Sequence, residues 1–255
     1  MLFDSHTHLD DEQFDADRLE TIERAKAAGV QYIMNPGSDL ASSVRAVELA
    51  ENYPFVYAAV GVHPHDVVGM DEQMLAMIEH LAGKEKVKAI GEIGLDYYRD
   101  LSPRDLQQKW FIEQIRLAKR LKLPVIIHDR DANGDVFSIL KQENAFETGV
   151  VMHLYSGSKE LAEQYVKLGA MISIGGTVTF KNARKTVEVA ESVPIEHLLI
   201  ETDAPYIAPE PMRGRRNEPS FVHYTCERIA AIRGASAEEI AEETLANAKR
   251  IFNIR

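Results

Sequence analysis

The sequence predicts a single (β/α)8 barrel occupying residues 1–255, with a metal site at the C-terminal ends of its strands. Three observations carry this expectation. Short apolar runs rich in Val and Ile alternate eight times with longer amphipathic stretches. Near-continuous apolar strands separated by helices call for a parallel sheet covered on both faces. Eight such units in 255 residues match a closed barrel, which typically runs to about 250 residues. An open doubly wound sheet is the alternative, but no Gly-rich phosphate fingerprint follows the first run.

The first apolar run is Leu2–His8 (LFDSHTH), followed by a helical pattern over Asp17–Ala28 with Leu19, Ile22 and Ala25 on one face. Val30–Pro36, Val56–His63 and Val87–Glu92 are the next three runs. Ser102-Pro103 reads as an N-cap with Pro in the first turn and opens a helix reaching Leu121. Val125–His128 and Val150–His153 come next, and Ser158 precedes a stripe of Leu161, Tyr165 and Leu168. The last runs are Ala170–Gly175 and Leu198–Asp203. Cys226 lies in an apolar pattern with Val222 and Ile229, a core position, and Ser236-Ala237-Glu238-Glu239 is a capping-box signature for the last helix.

Composition narrows the function. The apolar share is 45% and the charged share 27%, ordinary for a globular chain able to bury a core without staples. One cysteine excludes an internal disulfide and a Cys-based zinc site, and fits a reducing, cytoplasmic setting. No signal-peptide pattern and no long apolar run is present, so no membrane association is expected, and no obligate protein partner is inferred. A formal net charge of −11 argues against a protein that coats nucleic acid with basic surface. It still allows an enzyme that grips a few phosphates at one locally positive place.

Chemistry concentrates where the runs end. His6 and His8, His63, Glu92, His128, His153 and Asp203 close six of the eight runs. In a parallel barrel all these ends share one rim, where catalysis sits in this architecture. A lone histidine at a strand end is more often a hydrogen-bonded residue than a ligand. Several ionisable groups in one cavity without a cation would be costly, and a metal centre accounts for them together. The four imidazoles of His6, His8, His128 and His153 with the carboxylates of Glu92 and Asp203 exceed one tetrahedral site, so two divalent ions are expected. One would take His6, His8, Glu92 and Asp203, and the other Glu92, His128 and His153, with Glu92 as the bridge. Imidazoles suit zinc, while carboxylates and phosphates suit magnesium or manganese.

The stretches DSHTHLD (Asp4–Asp10), GVHPH (Gly61–His65), GEIGLDYY (Gly91–Tyr98), HDRDA (His128–Ala132), ETDAPYIAP (Glu201–Pro209) and RGRRNEP (Arg213–Pro219) resemble the TatD-family metal-dependent deoxyribonucleases. The resemblance runs from residue 4 to about residue 250, with the motifs in family order. It implies a metallo-dependent hydrolase barrel, DNA as substrate, and the same six metal ligands. It also points to His63 as a participant beyond the ligands. Two departures stand out: HLYSG (His153–Gly157) replaces the family's HCFSG, and HDRDA replaces HSREA.

Asp203 is the expected proton acceptor for the attacking water, with Glu201 and Asp4 as groups that orient ligands. Arg130, Arg213, Arg215 and Arg216 are expected at substrate phosphates and Tyr97, with Tyr98, at bases. An amidohydrolase acting on a small ester, lactone or cyclic amide is the alternative, and a non-enzymatic metal scaffold a third reading. The usual bridging lysine of the former has no counterpart here. Glu92 holds the end of its run, and Lys86 and Lys88 lie near the start.

Overall fold

The computed structural model describes residues 1–255. Eight parallel strands follow one another in a single sheet in chain order, with helices between them, and the fold is a (β/α)8 barrel. Contacts gather the chain into two compact units. One comprises Met1–Asn35, Leu154–Lys167 and Met171–Arg255, and the other Pro36–His153 with Leu168–Ala170.

The first unit holds β1 (Leu2–Asp4), α1 (Arg18–Ala27), most of β2 (Val30–Pro36), α6 (Lys159–Lys167) and β7 (Met171–Ile174). It also holds α7 (Arg184–Ser192), β8 (Leu198–Ile200), α8 (Val222–Arg233) and α9 (Ala237–Ile251). β1 pairs with β2 from Leu2↔Val30, and β7 with β8 from Ile172↔Leu198. The amide of Ser5 donates to the Ile200 carbonyl, and that of Asp203 to the His6 carbonyl, so the last strand returns to the first. Phe3 stacks between Tyr32 and Phe252, 5.6 and 6.0 Å away, which ties β1 to the end of α9. Both halves of the predicted capping box form at Ser236 and Glu239.

β1 stops at Asp4, short of the predicted Leu2–His8. Beyond it the amides alternate between neighbours. Thr7 donates to Met34 and His8 to Ala204, with a single bridge from Thr7 to Ala204. In α1 Ile22 and Ala25 are buried, whereas Leu19 is exposed. In α6 the buried pair is Ala162 and Tyr165, and Leu168 lies beyond the helix and is partly exposed. Cys226 is buried in α8, as its pattern predicts.

The second unit holds α2 (Leu40–Asn52), β3 (Val56–Val60), α3 (Glu72–Ala82), β4 (Val87–Asp96), α4 (Arg104–Leu121), β5 (Val125–Arg130), α5 (Asn133–Gln142) and β6 (Val150–Met152). β3, β4, β5 and β6 pair in that order, with Val60↔Ile90, Gly94↔His128 and Ile127↔Met152 in register. β4 runs four residues past the predicted Glu92 end. Gly94 makes this possible. Its φ is +148°, and a Cβ there would sit 2.0 Å from the His128 carbonyl oxygen, so only glycine lets the two strands come this close.

The helix predicted from Ser102 begins at Arg104 with Pro103 in the cap position. The Ser102 hydroxyl instead donates to the His65 carbonyl, 2.8 Å away. Gln114 of α4 accepts from the Val62 amide at 2.7 Å and donates to its carbonyl at 3.0 Å, which pins the loop that carries His63. No helix is long and apolar enough to cross a membrane.

Candidate metal centres

A group of histidines and carboxylates forms within each unit. In the first, His6 Nε2 and His8 Nε2 are 3.2 Å apart, and Asp203 Oδ1 lies 3.8 and 3.7 Å from them. The backbone explains the convergence. Asp203 has a φ of +57°, a left-handed conformation that costs a non-glycine residue energy but that Asp tolerates better than most. That twist turns its carboxylate toward the His-X-His segment. Two hydrogen bonds hold the frame: the Asp203 amide donates to His6 at 2.9 Å, and the Tyr206 amide donates to Asp203 at 2.9 Å.

Asp4 and Glu201 are buried supports here. Asp4 accepts from the Thr202 amide at 2.9 Å and the Thr202 hydroxyl at 2.6 Å, which joins β1 to the segment after β8. Burial holds its carboxyl well above the usual range against those hydrogen bonds. Glu201 accepts from the Leu154 amide at 2.8 Å and from the Ser173 hydroxyl.

In the second group, Glu92 is almost fully buried. Its Oε1 lies 2.8 Å from His128 Nδ1, 3.5 Å from His153 Nε2 and 3.6 Å from His63 Nε2. The far side of the His128 ring faces Asp96, with Nε2 3.2 Å from Oδ2. The same Oδ2 lies 2.7 Å from His65 Nε2, and Oδ1 accepts from the amides of Tyr98 and Arg99. Burial would raise the Asp96 carboxyl, but the bonds from His128, the Arg99 amide and His65 outweigh it and hold it well below the usual range. For His128 burial works toward the neutral form. The hydrogen bonds to Asp96 and Glu92 win and lift it to about 9. Burial and then the neighbouring His128 hold His63 well below the ordinary imidazole value. Its Nδ1 accepts from the His65 amide at 3.2 Å, so the neutral ring carries its proton on Nε2.

The donor sets suit cations. Two ligands bound to one ion at about 2.1 Å lie about 3.0–3.5 Å apart. The spacings of His6, His8 and Asp203, and of Glu92 with His153, fall at or slightly above that range. Each group brings imidazoles together with a carboxylate. In the second group the positive charge beside Glu92 is a proton on His128, the species a divalent ion would displace on binding.

The substrate candidates are placed differently. Arg130 is exposed and lies over the Tyr98 ring, 4.0 Å from its centroid. Tyr97 is half-buried under Arg104, and its hydroxyl donates to Asp135 at 2.7 Å. Arg213 is exposed over Phe180 at 4.1 Å, and Arg215 is exposed. Arg216 is engaged: its two terminal nitrogens reach the two Asp17 oxygens at 2.7 and 2.8 Å, one of them also donates to the Gln13 carbonyl, and the guanidinium lies over Phe14. Gly214, with a φ of +83°, makes the turn between them.

Asp96 and His65 escaped the sequence reading. The signal for Asp96 was present in the spacing Glu92-x-Gly94-x-Asp96, which puts two carboxylates on one face of a strand with a glycine between them.

A family model described as TatD related DNase matches residues 3–253. A Bacillus subtilis (strain 168) protein named YabD, an uncharacterized metal-dependent hydrolase, is 52% identical over 100% of both chains. A Rahnella sp. (strain Y9602) protein named 3'-5' ssDNA/RNA exonuclease TatD is 37% identical, with 98% of each chain covered. Among solved structures, the TatD homolog YJJV from Escherichia coli K12 superposes with a TM-score of 0.94 at 36% identity, covering 100% of this chain and 98% of that one.

Proposed function

The chain belongs to the TatD-related DNase family of metal-dependent hydrolases, and from that premise we propose that it cleaves DNA phosphodiester bonds with two divalent ions. The observation that carries the proposal is the approach of His6 Nε2, His8 Nε2 and Asp203 Oδ1 at spacings suited to one cation. In this reading His6, His8 and Asp203 would hold one ion and His128 and His153 the other, with Glu92 as a ligand common to both. Magnesium, manganese and zinc all suit such a mixed set. When bound, the ions supply positive charge to the non-bridging phosphate oxygens and acidify the attacking water.

The protein's own groups do the rest. Asp203 accepts the proton of the attacking water on a carboxylate oxygen. His63, neutral and protonated on Nε2, donates a hydrogen bond to a phosphate or leaving-group oxygen. Arg130, Arg213 and Arg215 receive flanking phosphates, and the stacked Arg130–Tyr98 pair beside Tyr97 offers planar faces to bases. Arg216, held by Asp17, keeps the arginine loop in place. The proposed setting is the reducing cytoplasm, where the single buried thiol of Cys226 needs no partner.

The test starts from protein stripped with EDTA and reloaded with magnesium, manganese or zinc. It is presented with labelled single-stranded DNA, the matching RNA, and a panel of esters and lactams. Metal-dependent shortening of the DNA is expected. Turnover of lactams or esters with no phosphodiester cleavage under any metal would replace this reading with an amidohydrolase.

A further inference from the structure

The His128 ring stands between two carboxylates of one strand. Glu92 and Asp96 lie at positions i and i+4 of β4, on the same face, and Gly94 between them carries no side chain. That gap seats the backbone of His128, since Gly94 pairs with His128 in register and a Cβ at 94 would strike the His128 carbonyl. The imidazole is therefore bracketed, with Nδ1 2.8 Å from Glu92 Oε1 and Nε2 3.2 Å from Asp96 Oδ2. A carboxylate only accepts, so the proton between His128 and Asp96 sits on Nε2. Asp96 is itself fixed on every side. It is fully buried, its Oδ1 caps the Tyr98 and Arg99 amides at 3.0 and 2.7 Å, and its Oδ2 also accepts from His65 at 2.7 Å. Gln107 of α4 locks its backbone, accepting from the Asp96 amide at 2.9 Å and donating to its carbonyl at 3.3 Å.

We propose that Asp96 is the positioning residue of the ion site built on Glu92: by holding Nε2–H of His128, it selects Nδ1 as the ligand atom and aims it at Glu92. The inference rests on the proposed reading of His128 as a metal ligand. An imidazole has two chemically similar nitrogens and a nearly free ring torsion, so its ligand atom is chosen by what the other nitrogen meets. Here the other nitrogen meets a fixed acceptor. His65, sharing the same oxygen, ties that acceptor to the loop after β3, whose own His63 ring packs against His128 at 4.3 Å between centroids.

Asp96→Asn separates positioning from architecture. The Asn carbonyl oxygen can still cap the Tyr98 and Arg99 amides, while its NH2 presents hydrogens to His128 Nε2. The ring then has to carry its proton on Nδ1, the form that cannot ligate through that atom. Zinc titrated calorimetrically into the metal-free full-length variant should show one of two equivalents weakened by about 10–100-fold, with Tm near that of the parent. Asp96→Ser, whose hydroxyl can cap the same amides but is too short to reach the imidazole, should show the same loss if the Asn variant does not fold. Ring 15N shifts of the zinc-loaded parent should place the His128 proton on Nε2. Parent-like affinity for both equivalents in Asp96→Asn overturns the proposal. So does a loss matched by a collapse in Tm and rescued by no substitution that keeps the amide caps. His128→Ala reports separately on the underlying reading: if that variant binds zinc as the parent does, His128 is no ligand, and both statements fall together.

Discussion

Replacing Arg216 by Ala, and separately Arg213 and Arg215 by Ala, divides one basic run into two jobs. Arg216 makes a two-pronged ion pair with Asp17 at 2.7 and 2.8 Å, donates to the Gln13 carbonyl at 2.6 Å and covers Phe14. The pair is only partly screened, with side-chain exposures of 27% and 32%. A fully exposed pair contributes about 0–1 kcal/mol, and the bidentate geometry and the aromatic contact add to that. Asp17 keeps a second cation in Arg24 at 3.1 Å, which softens the loss. Arg216→Ala should therefore cost about 1–2 kcal/mol of stability. For a chain of this size each kcal/mol lowers Tm by about 2–4 °C. Its effect on the salt dependence of oligonucleotide binding should be small, because Asp17 already neutralises the charge.

Arg213 and Arg215 are exposed and should behave oppositely. Arg215→Ala should leave Tm within about 1 °C, Arg213→Ala should lower it by about 1–4 °C through the lost Phe180 contact, and each should flatten the plot of log affinity against log salt by about 0.7 for a single strand. Thermal melts, together with fluorescence anisotropy of a labelled oligonucleotide at several salt concentrations, read both quantities. A flattened salt slope in Arg216→Ala with unchanged Tm, or unchanged slopes in the Arg213 and Arg215 variants, would refute this division of roles.

Asp203→Asn should fold and lose most hydrolysis together with affinity for one ion, since Asn keeps the shape but not the charge; near-normal turnover at saturating metal would remove Asp203 as proton acceptor. Glu92→Gln should weaken both bound equivalents in a metal titration, and the loss of one with the other intact would remove Glu92 as the shared ligand. Burial, reinforced by Glu227, lifts the Cys226 thiol to about 11. The unfolded chain, with a thiol pKa near 8.5, loses its proton first as pH rises, so stability should fall progressively above about pH 8.5 and level off past the folded value. Native protein should accordingly react with a disulfide reagent only on unfolding, and fast labelling of the folded state would contradict the buried position.

The sequence alone determined the strand–helix alternation, the parallel sheet and the residues that end the strands, because these depend on local periodicity. Val30–Pro36 reads as a strand from composition and forms one with the same bounds. Asp203 and the His-X-His pair could be brought together on paper because a parallel barrel returns its last strand to its first. The partners of individual side chains were decided only by tertiary structure. Arg216 looked like a phosphate ligand from its neighbours in the chain, yet it meets Asp17, 199 residues away, once α1 and the loop after β8 are folded together. Ser102 looked like a helix cap and instead holds the His65 carbonyl, 37 residues back. Asp96 drew no role from the sequence; the extension of β4 past Gly94 is what sets it against His128. Burial and hydrogen-bond partnership depend on strand register, on close backbone approach at a single glycine and on which loops pack together. Those quantities are sums over residues distant in the chain, and no local window of the sequence contains them.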